Sequence, residues 1–199
     1  YPQIEGTAEK LRANHPDKDL AKTTLPDVMN VYRNFIRKLP EKPILIGHSM
    51  GGLIAQVLLS EGLGTCAIAI DSAPPNGVVS PLTAVFLHGY TFVSNSWEFI
   101  NPFSSDDNPV LMSFETFSTQ FANGLSKDNL RKDYEHLSVP SSRRVGKGAL
   151  TNDAMVDGSS PRGPLLLITG SQDHIIPPSV TKANLEFYKK SAGITEYKE

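Results

Sequence analysis

Residues 43 to 59 read PILIGHSMGGLIAQVLL. An apolar run ends in Gly-His-Ser-Met-Gly-Gly, and a second apolar segment follows without a break. A serine hydroxyl becomes a nucleophile when the fold holds it clear of its own helix and beside a base. Gly-x-Ser-x-Gly between a strand and a helix meets the first condition. The serine sits in a strained turn, and the residues two before and two after it have to be small, a demand that Gly47 and Gly51 meet. Gly52 lets the helix pack closely. Ser49 is therefore the candidate nucleophile. The Met50 N–H, at a helix start where the dipole is positive, is a candidate donor to an oxyanion. Two readings compete: a purely structural serine turn, and a phosphate-binding glycine loop. GHSMGG matches neither G-x-G-x-x-G nor G-x-x-x-x-G-K-[ST], which counts against the loop.

Such a serine needs an acid and a base. Asp173 follows the apolar run in GPLLLITGSQD and precedes IIPP, so it falls at the C-terminal end of an expected strand. Functional groups gather along that edge of a parallel sheet. There the carboxylate would hold the base imidazole in one tautomer. The plainer reading of Asp173 is a turn or N-cap residue before the helix near 178. Asp71, at the end of TCAIAID, is the alternative acid. Of the histidines, His174 adjoins Asp173, and neighbouring side chains at a strand end point apart. His48 lies inside the glycine-rich turn and is expected to pack beside the sheet. His88 and His136 lie in the long middle segment, and His15 lies in a polar loop. None has the position of a base.

The elements that must hold these residues are legible as patterns. Residues 1 to 23 read as polar and irregular, with NHPDKD as a loop. Leu25, Val28, Met29, Tyr32, Phe35, Ile36 and Leu39 recur every three or four residues, predicting a helix with Thr24 and Asp27 at its start and Pro40 at its stop. PILIGHS reads as a strand buried on both faces. Residues 51 to 61 read as a helix that Gly62 terminates. Residues 65 to 72 and 163 to 173 are further strands, 178 to 191 is a helix, and ITEYKE begins another strand. Strands alternating with helices predict a parallel sheet in an α/β fold. The segment from 73 to 162 breaks the rhythm and reads as a mostly helical insertion, with two short helices in 113 to 137, the second capped by Ser126. The domain reading is a core of 1 to 72 with 163 to 199, and an insertion of 73 to 162.

Composition bounds the rest. The chain has 199 residues, 39% of them hydrophobic and 20% charged, with a formal net charge of -2. No basic block suggests nucleic acid, and the Arg143-Arg144 pair is expected to be solvated. One cysteine, Cys66, allows no internal disulfide and no cysteine metal site. No metal cluster or cofactor loop is visible, so no metal or other cofactor is expected. No run is long enough for a membrane helix, and a soluble cytoplasmic protein is the default. The chain opens on Tyr1 and closes inside an expected strand, and the expectation from both ends is a piece of a longer protein.

PILIGHSMGGLIAQVLL and LLLITGSQDHIIPP together resemble the central strand, nucleophile elbow and acid-bearing strand of the α/β-hydrolase superfamily, specifically serine hydrolases with a helical cap. The resemblance spans roughly the whole chain, with the motifs in the order Ser then Asp. It implies a Ser-His-Asp triad cleaving an ester or thioester-type acyl compound, with a small, apolar substrate. In that family the His follows the next strand, which places it beyond residue 199. The early strands and a second oxyanion donor would precede Tyr1. The resemblance implies a lid from 73 to 162, whose Trp97, Phe114, Phe117 and Phe121 line a substrate pocket or form the lid's own core. The alternatives are a non-catalytic ligand binder on the same fold, or another reaction such as C–C hydrolysis or perhydrolysis.

Overall fold

The structure is a computed structural model that describes residues 5–78, 98, 101 and 103–199. Its centre is four parallel strands in the order β1 (Ile44–His48), β2 (Cys66–Ile70), β3 (Leu165–Ile168), β4 (Thr195–Lys198). The register sets His48 beside Ile70, and Ile70 beside Ile168. The C-terminal ends of β1, β2 and β3 thus share one edge, where Ser49, Asp71 and the turn to Asp173 follow. As expected from ITEYKE, β4 is a strand, and it runs parallel to β3.

Helices precede the sheet. α1 (Ala8–Ala13) and α2 (Lys18–Lys22) replace the irregular stretch expected before residue 24. Both are short, and each is started by a side chain that caps it, Thr7 accepting from the Lys10 N–H and Asp17 from those of Asp19 and Leu20. Caps of this kind outweigh polar composition in a single turn or two. α3 (Leu25–Ile36) begins as predicted: Thr24 Oγ1 accepts from the Asp27 N–H, and the Asp27 carboxylate accepts from the Thr24 N–H at 2.9 Å. Thr24→Ala is expected to lower stability by about 1 kcal/mol, read from the urea midpoint. α3 stops at Ile36, short of Pro40, and only turns continue to Leu39. Its buried residues are Leu25, Met29 and Ile36, while Tyr32 and Phe35 of the predicted stripe are exposed.

α4 (Met50–Ser60) crosses from β1 to β2 and carries the core, with Leu53, Ile54, Val57, Leu58 and Leu59 all buried. Gly62 terminates it at φ +72°, and Leu63 N–H reaches back to the Leu58 carbonyl. A left-handed residue at this place favours glycine. Arg33 of α3 meets Glu61 through two N–H···O bonds, which locks the two helices together at this end.

β1 is not buried on both faces. Its side chains alternate, and Ile44 and Ile46 are 62% and 66% exposed. The apolar core of α3, α4, Leu165 and Leu167 lies on the other face. β1 is also the edge strand of the described sheet, so a continuous apolar run here does not mean two covering layers.

The segment after β2 supplies α5 (Phe114–Thr116), a π-helical turn at Phe117–Phe121, α6 (Lys127–Leu137), α7 (Arg143–Gly148) and a 3₁₀ turn at Asn152–Ala154. The two short helices expected within 113 to 137 are present. Ser126 stands at the N-cap of α6, although its side chain makes no capping bond. Val145, Ala154 and Val156 join the main core. Arg143 and Arg144 are half-buried instead of solvated: Arg143 donates to the Glu98 carbonyl, and Arg144 lies 3.8 Å from Asp107. Trp97 and His88 lie outside the described residues. α8 (Pro178–Phe187) and a 3₁₀ turn at Tyr188–Lys190 lead into β4.

Candidate active site

Ser49 stands between β1 and α4 with φ 53° and ψ −121°. A non-glycine residue in this region costs on the order of 1–3 kcal/mol and persists only when its surroundings dictate it. They do so here from both sides. Ser49 N–H donates to the Ile70 carbonyl at 2.9 Å, and its carbonyl accepts from the N–H of Ala73 at 3.1 Å. The end of β2 therefore clamps the turn. Ser49 occupies the N-cap position of α4, where serine is normally favoured for its capping bond, yet it makes none.

The glycines divide unequally. A Cβ on Gly47 would lie 2.0 Å from the Gly51 carbonyl oxygen, and one on Gly52 would lie 2.6 Å from Ser72 Oγ. A Cβ on Gly51 would meet nothing within 4 Å, so the close approach falls to Gly47 and Gly52. Met50 opens α4 and is among the residues whose N–H groups have no acceptor within their own helix.

Asp71 follows β2 with φ 41°, and its Oδ1 accepts from the Gly170 N–H at 2.7 Å, tying the ends of β2 and β3 together. Asp173 Oδ1 accepts from the N–H groups of Ile175 and Ile176 at 2.7 and 2.9 Å, which fixes the carboxyl's orientation. Burial pushes the Asp173 carboxyl above the usual range. The Ile176 and Ile175 N–H groups oppose this, and the adjoining Asp71 carboxyl adds to it. The two candidate acids are thus neighbours.

The histidines are placed differently. His48 is exposed, and its ring stands edge-on to Phe121 at 6.1 Å between centroids. His174 is exposed and turned toward the insertion, with Nδ1 3.3 Å from the Thr119 carbonyl. His136 contacts the Lys132 carbonyl on its own helix, and His15 lies between α1 and α2. No group of three or more His, Cys, Asp and Glu suited to a metal ion occurs among the described residues.

A buried network beneath the turn escapes the sequence reading. Gln56 is fully buried among the apolar residues of α4. It donates to Ser72 Oγ at 2.8 Å and accepts from Asn184 Nδ2 and Tyr188 Oη, each at 3.0 Å. Ser72 follows Asp71, and Asn184 lies on the helix after Asp173, so this one amide joins the elements of all three candidate residues. Its only signal in the sequence is a glutamine inside an apolar helical run.

Of the aromatics suggested for a pocket, Phe117 and Phe121 line a cavity in the insertion. Phe114 packs instead on Tyr134 and beneath the Arg131 guanidinium. Among the described residues no helix is long and apolar enough to cross a membrane.

Comparison with solved structures finds the same fold. A monoacylglycerol lipase of Paleococcus ferrophilus aligns at 23% identity over 88% of this chain and 66% of its own length, with a TM-score of 0.53. Polyneuridine aldehyde esterase aligns at 15% identity over 92% and 73%, with a TM-score of 0.59. A pyrethroid hydrolase from Sphingobium faniae JZ-2 aligns at 16% identity over 90% and 70%, with a TM-score of 0.55. The chain thus spans about two thirds to three quarters of the length of these relatives. Comparison with curated proteins finds no significant match. A model of the alpha/beta hydrolase family matches residues 11–195. The parallel sheet, the strained serine turn and this match over nearly the whole chain give one conclusion: the chain belongs to the α/β-hydrolase family.

Proposed function

We propose that this chain carries the nucleophile and the acid of a serine hydrolase acting on small, apolar acyl substrates, esters or thioesters. One observation carries the reading. Ser49 is held at positive φ at a helix N-cap and makes no capping bond, so the strain serves no local purpose and leaves the hydroxyl available. Ser49 Oγ attacks the acyl carbon while a histidine beyond residue 199 takes its proton and later returns it to the leaving group. Asp173 orients that imidazole and stabilises its cation, with Asp71 as the alternative acid. The Met50 N–H donates to the tetrahedral oxyanion together with a second donor outside the chain. The outer part of the 73 to 162 segment acts as a lid over the substrate, while its Val145, Ala154 and Val156 pack into the main core.

A fluorophosphonate probe tests this reading on the full-length protein. Ser49 is expected to be labelled covalently, and Ser49→Ala is expected to abolish labelling without changing the melting temperature by more than about 4 °C. A full-length protein that folds, binds apolar ligands and is not labelled would be a binder on this fold, not a hydrolase.

A further inference from the structure

Two non-glycine residues among those described have a positive φ, Ser49 at 53° and Asp71 at 41°. Such backbone persists only where its surroundings over-determine it. Both residues depend on the short segment that leaves β2. Asp71 N–H donates to the Ile168 carbonyl at 2.8 Å, and Ala73 N–H donates to the Ser49 carbonyl. Ser72 stands between them, buried, with its hydroxyl donating to the Ala73 carbonyl at 2.8 Å. The same hydroxyl accepts from Gln56 Nε2, about two turns along α4 from Ser49. Gly52 admits Ser72 this close to α4, because a Cβ there would lie 2.6 Å from Ser72 Oγ. The other end of the Gln56 amide accepts from Asn184 on α8, the helix after the Asp173 turn, and from Tyr188. Gln56, Ser72, Asn184 and Tyr188 are all buried, where a hydrogen bond left unmade is costly. An amide donates at one end and accepts at the other. A leucine or methionine would suit the apolar run of α4 and satisfy none of the three partners.

From this we infer that Gln56 is a positioning residue for Ser49. Through Ser72 it pins the 71–73 segment to α4 and so keeps Ser49 in its strained turn. Its hold on Asn184 keeps α8, and the Asp173 turn before it, in register with that turn. The inference rests on the serine-hydrolase reading. Gln56 is fully buried and acts only through its partners. The Ala73 N–H fixes the Ser49 carbonyl only as firmly as Ser72, its neighbour in the chain, is itself fixed. A displacement of the serine by about 1 Å is enough to slow its attack by up to about a hundredfold.

The rate at which a fluorophosphonate labels Ser49 in the full-length protein reads the serine's geometry, and kcat and KM for an activated ester read it in turnover. Gln56→Met is expected to slow labelling about tenfold and to lower kcat by about as much, with KM within about twofold. Ser72→Ala is expected to do the same. The double variant is expected to be no slower than either single one, because both remove one contact. Gln56→Met also strands Asn184 and Tyr188, and so lowers the melting temperature. Adding Asn184→Leu and Tyr188→Phe removes the stranded groups. The melting temperature is then expected to return to within about 4 °C of the unaltered protein, while labelling stays slow. This triple variant carries the test should Gln56→Met alone fail to fold. Labelling that recovers together with the melting temperature, or that Gln56→Met leaves unchanged, overturns the positioning role and leaves the network a means of filling the core. Losses that add in the double variant overturn Ser72 as the route. An unaltered full-length protein that folds and is not labelled removes the hydrolase reading itself, and the inference with it.

Discussion

Asp173→Asn is expected to lower turnover of an activated ester by roughly 10⁴-fold in the full-length protein, and at the same time to make the folded chain more stable near neutral pH. The two effects share a cause. Burial raises the Asp173 carboxyl, and Asp71 beside it adds to the shift. The folded state therefore holds this proton to a higher pH than the unfolded chain, whose carboxyl titrates near 3.8. Where the folded state binds more protons, stability falls as pH rises. The loss begins near the unfolded value, runs through the raised folded value, and is complete above it. Asparagine carries no charge to desolvate. Its Oδ1 can still accept from Ile175 and Ile176, and its amide can donate to Asp71. Urea unfolding of both proteins at pH 4 and pH 7 checks the sign: the variant's advantage should grow with pH. Catalysis loses because an amide cannot stabilise an imidazolium and favours the wrong tautomer. Full activity in Asp173→Asn, with Asp71→Asn inactive, would move the acid to Asp71.

Gly47→Ala is expected to cost about 3 kcal/mol or more, whereas Gly51→Ala, later in the same motif and on α4, is expected to be neutral or to stabilise by up to about 1 kcal/mol. A Cβ at Gly47 would sit 2.0 Å from the Gly51 carbonyl. That obstacle is backbone on both sides, so no rotamer relieves it, and α4 would have to move away from β1. Because the Ile70 carbonyl and the Ala73 N–H clamp Ser49 to β2, such a shift would also relax the serine's positive φ. At Gly51 nothing lies within 4 Å, and alanine simply improves helix propensity. Denaturant melts of the two variants separate these outcomes. Equal costs at 47 and 51 would mean that the contact between strand and helix is not as described.

Much of this architecture is legible in the sequence. The α3 stripe and its capping box, strands within 65–72 and 163–173 (found shorter, as Cys66–Ile70 and Leu165–Ile168), Gly62 at the end of α4, and the final strand all rest on local rules: periodicity, caps, and φ preferences that each residue carries with it. The readings that failed depended on what lies across space. An apolar run does not state how many layers cover it, so Ile44 and Ile46 were expected inside. Polar residues 8 to 22 looked irregular because Thr7 and Asp17, not apolar spacing, start their helices. Arg143 and Arg144 looked like a solvated pair because the Glu98 carbonyl and Asp107 are distant in sequence.

The sequence by itself determined the Gly-x-Ser-x-Gly turn between a strand and a helix, the α/β class, and Asp71 and Asp173 as the candidate acids, because strand and helix signals are short-range. Only the tertiary structure decided that Asp71 and Asp173 adjoin each other, that Gln56 joins the elements carrying all three candidate residues, that the backbone of Gly51 meets Gly47 although nothing crowds Gly51's own Cβ position, and that Phe121 bridges a cavity to His48. Each of these is a contact between segments far apart in the chain, formed when parallel strands bring their C-terminal ends to one edge, and no local pattern encodes such a meeting.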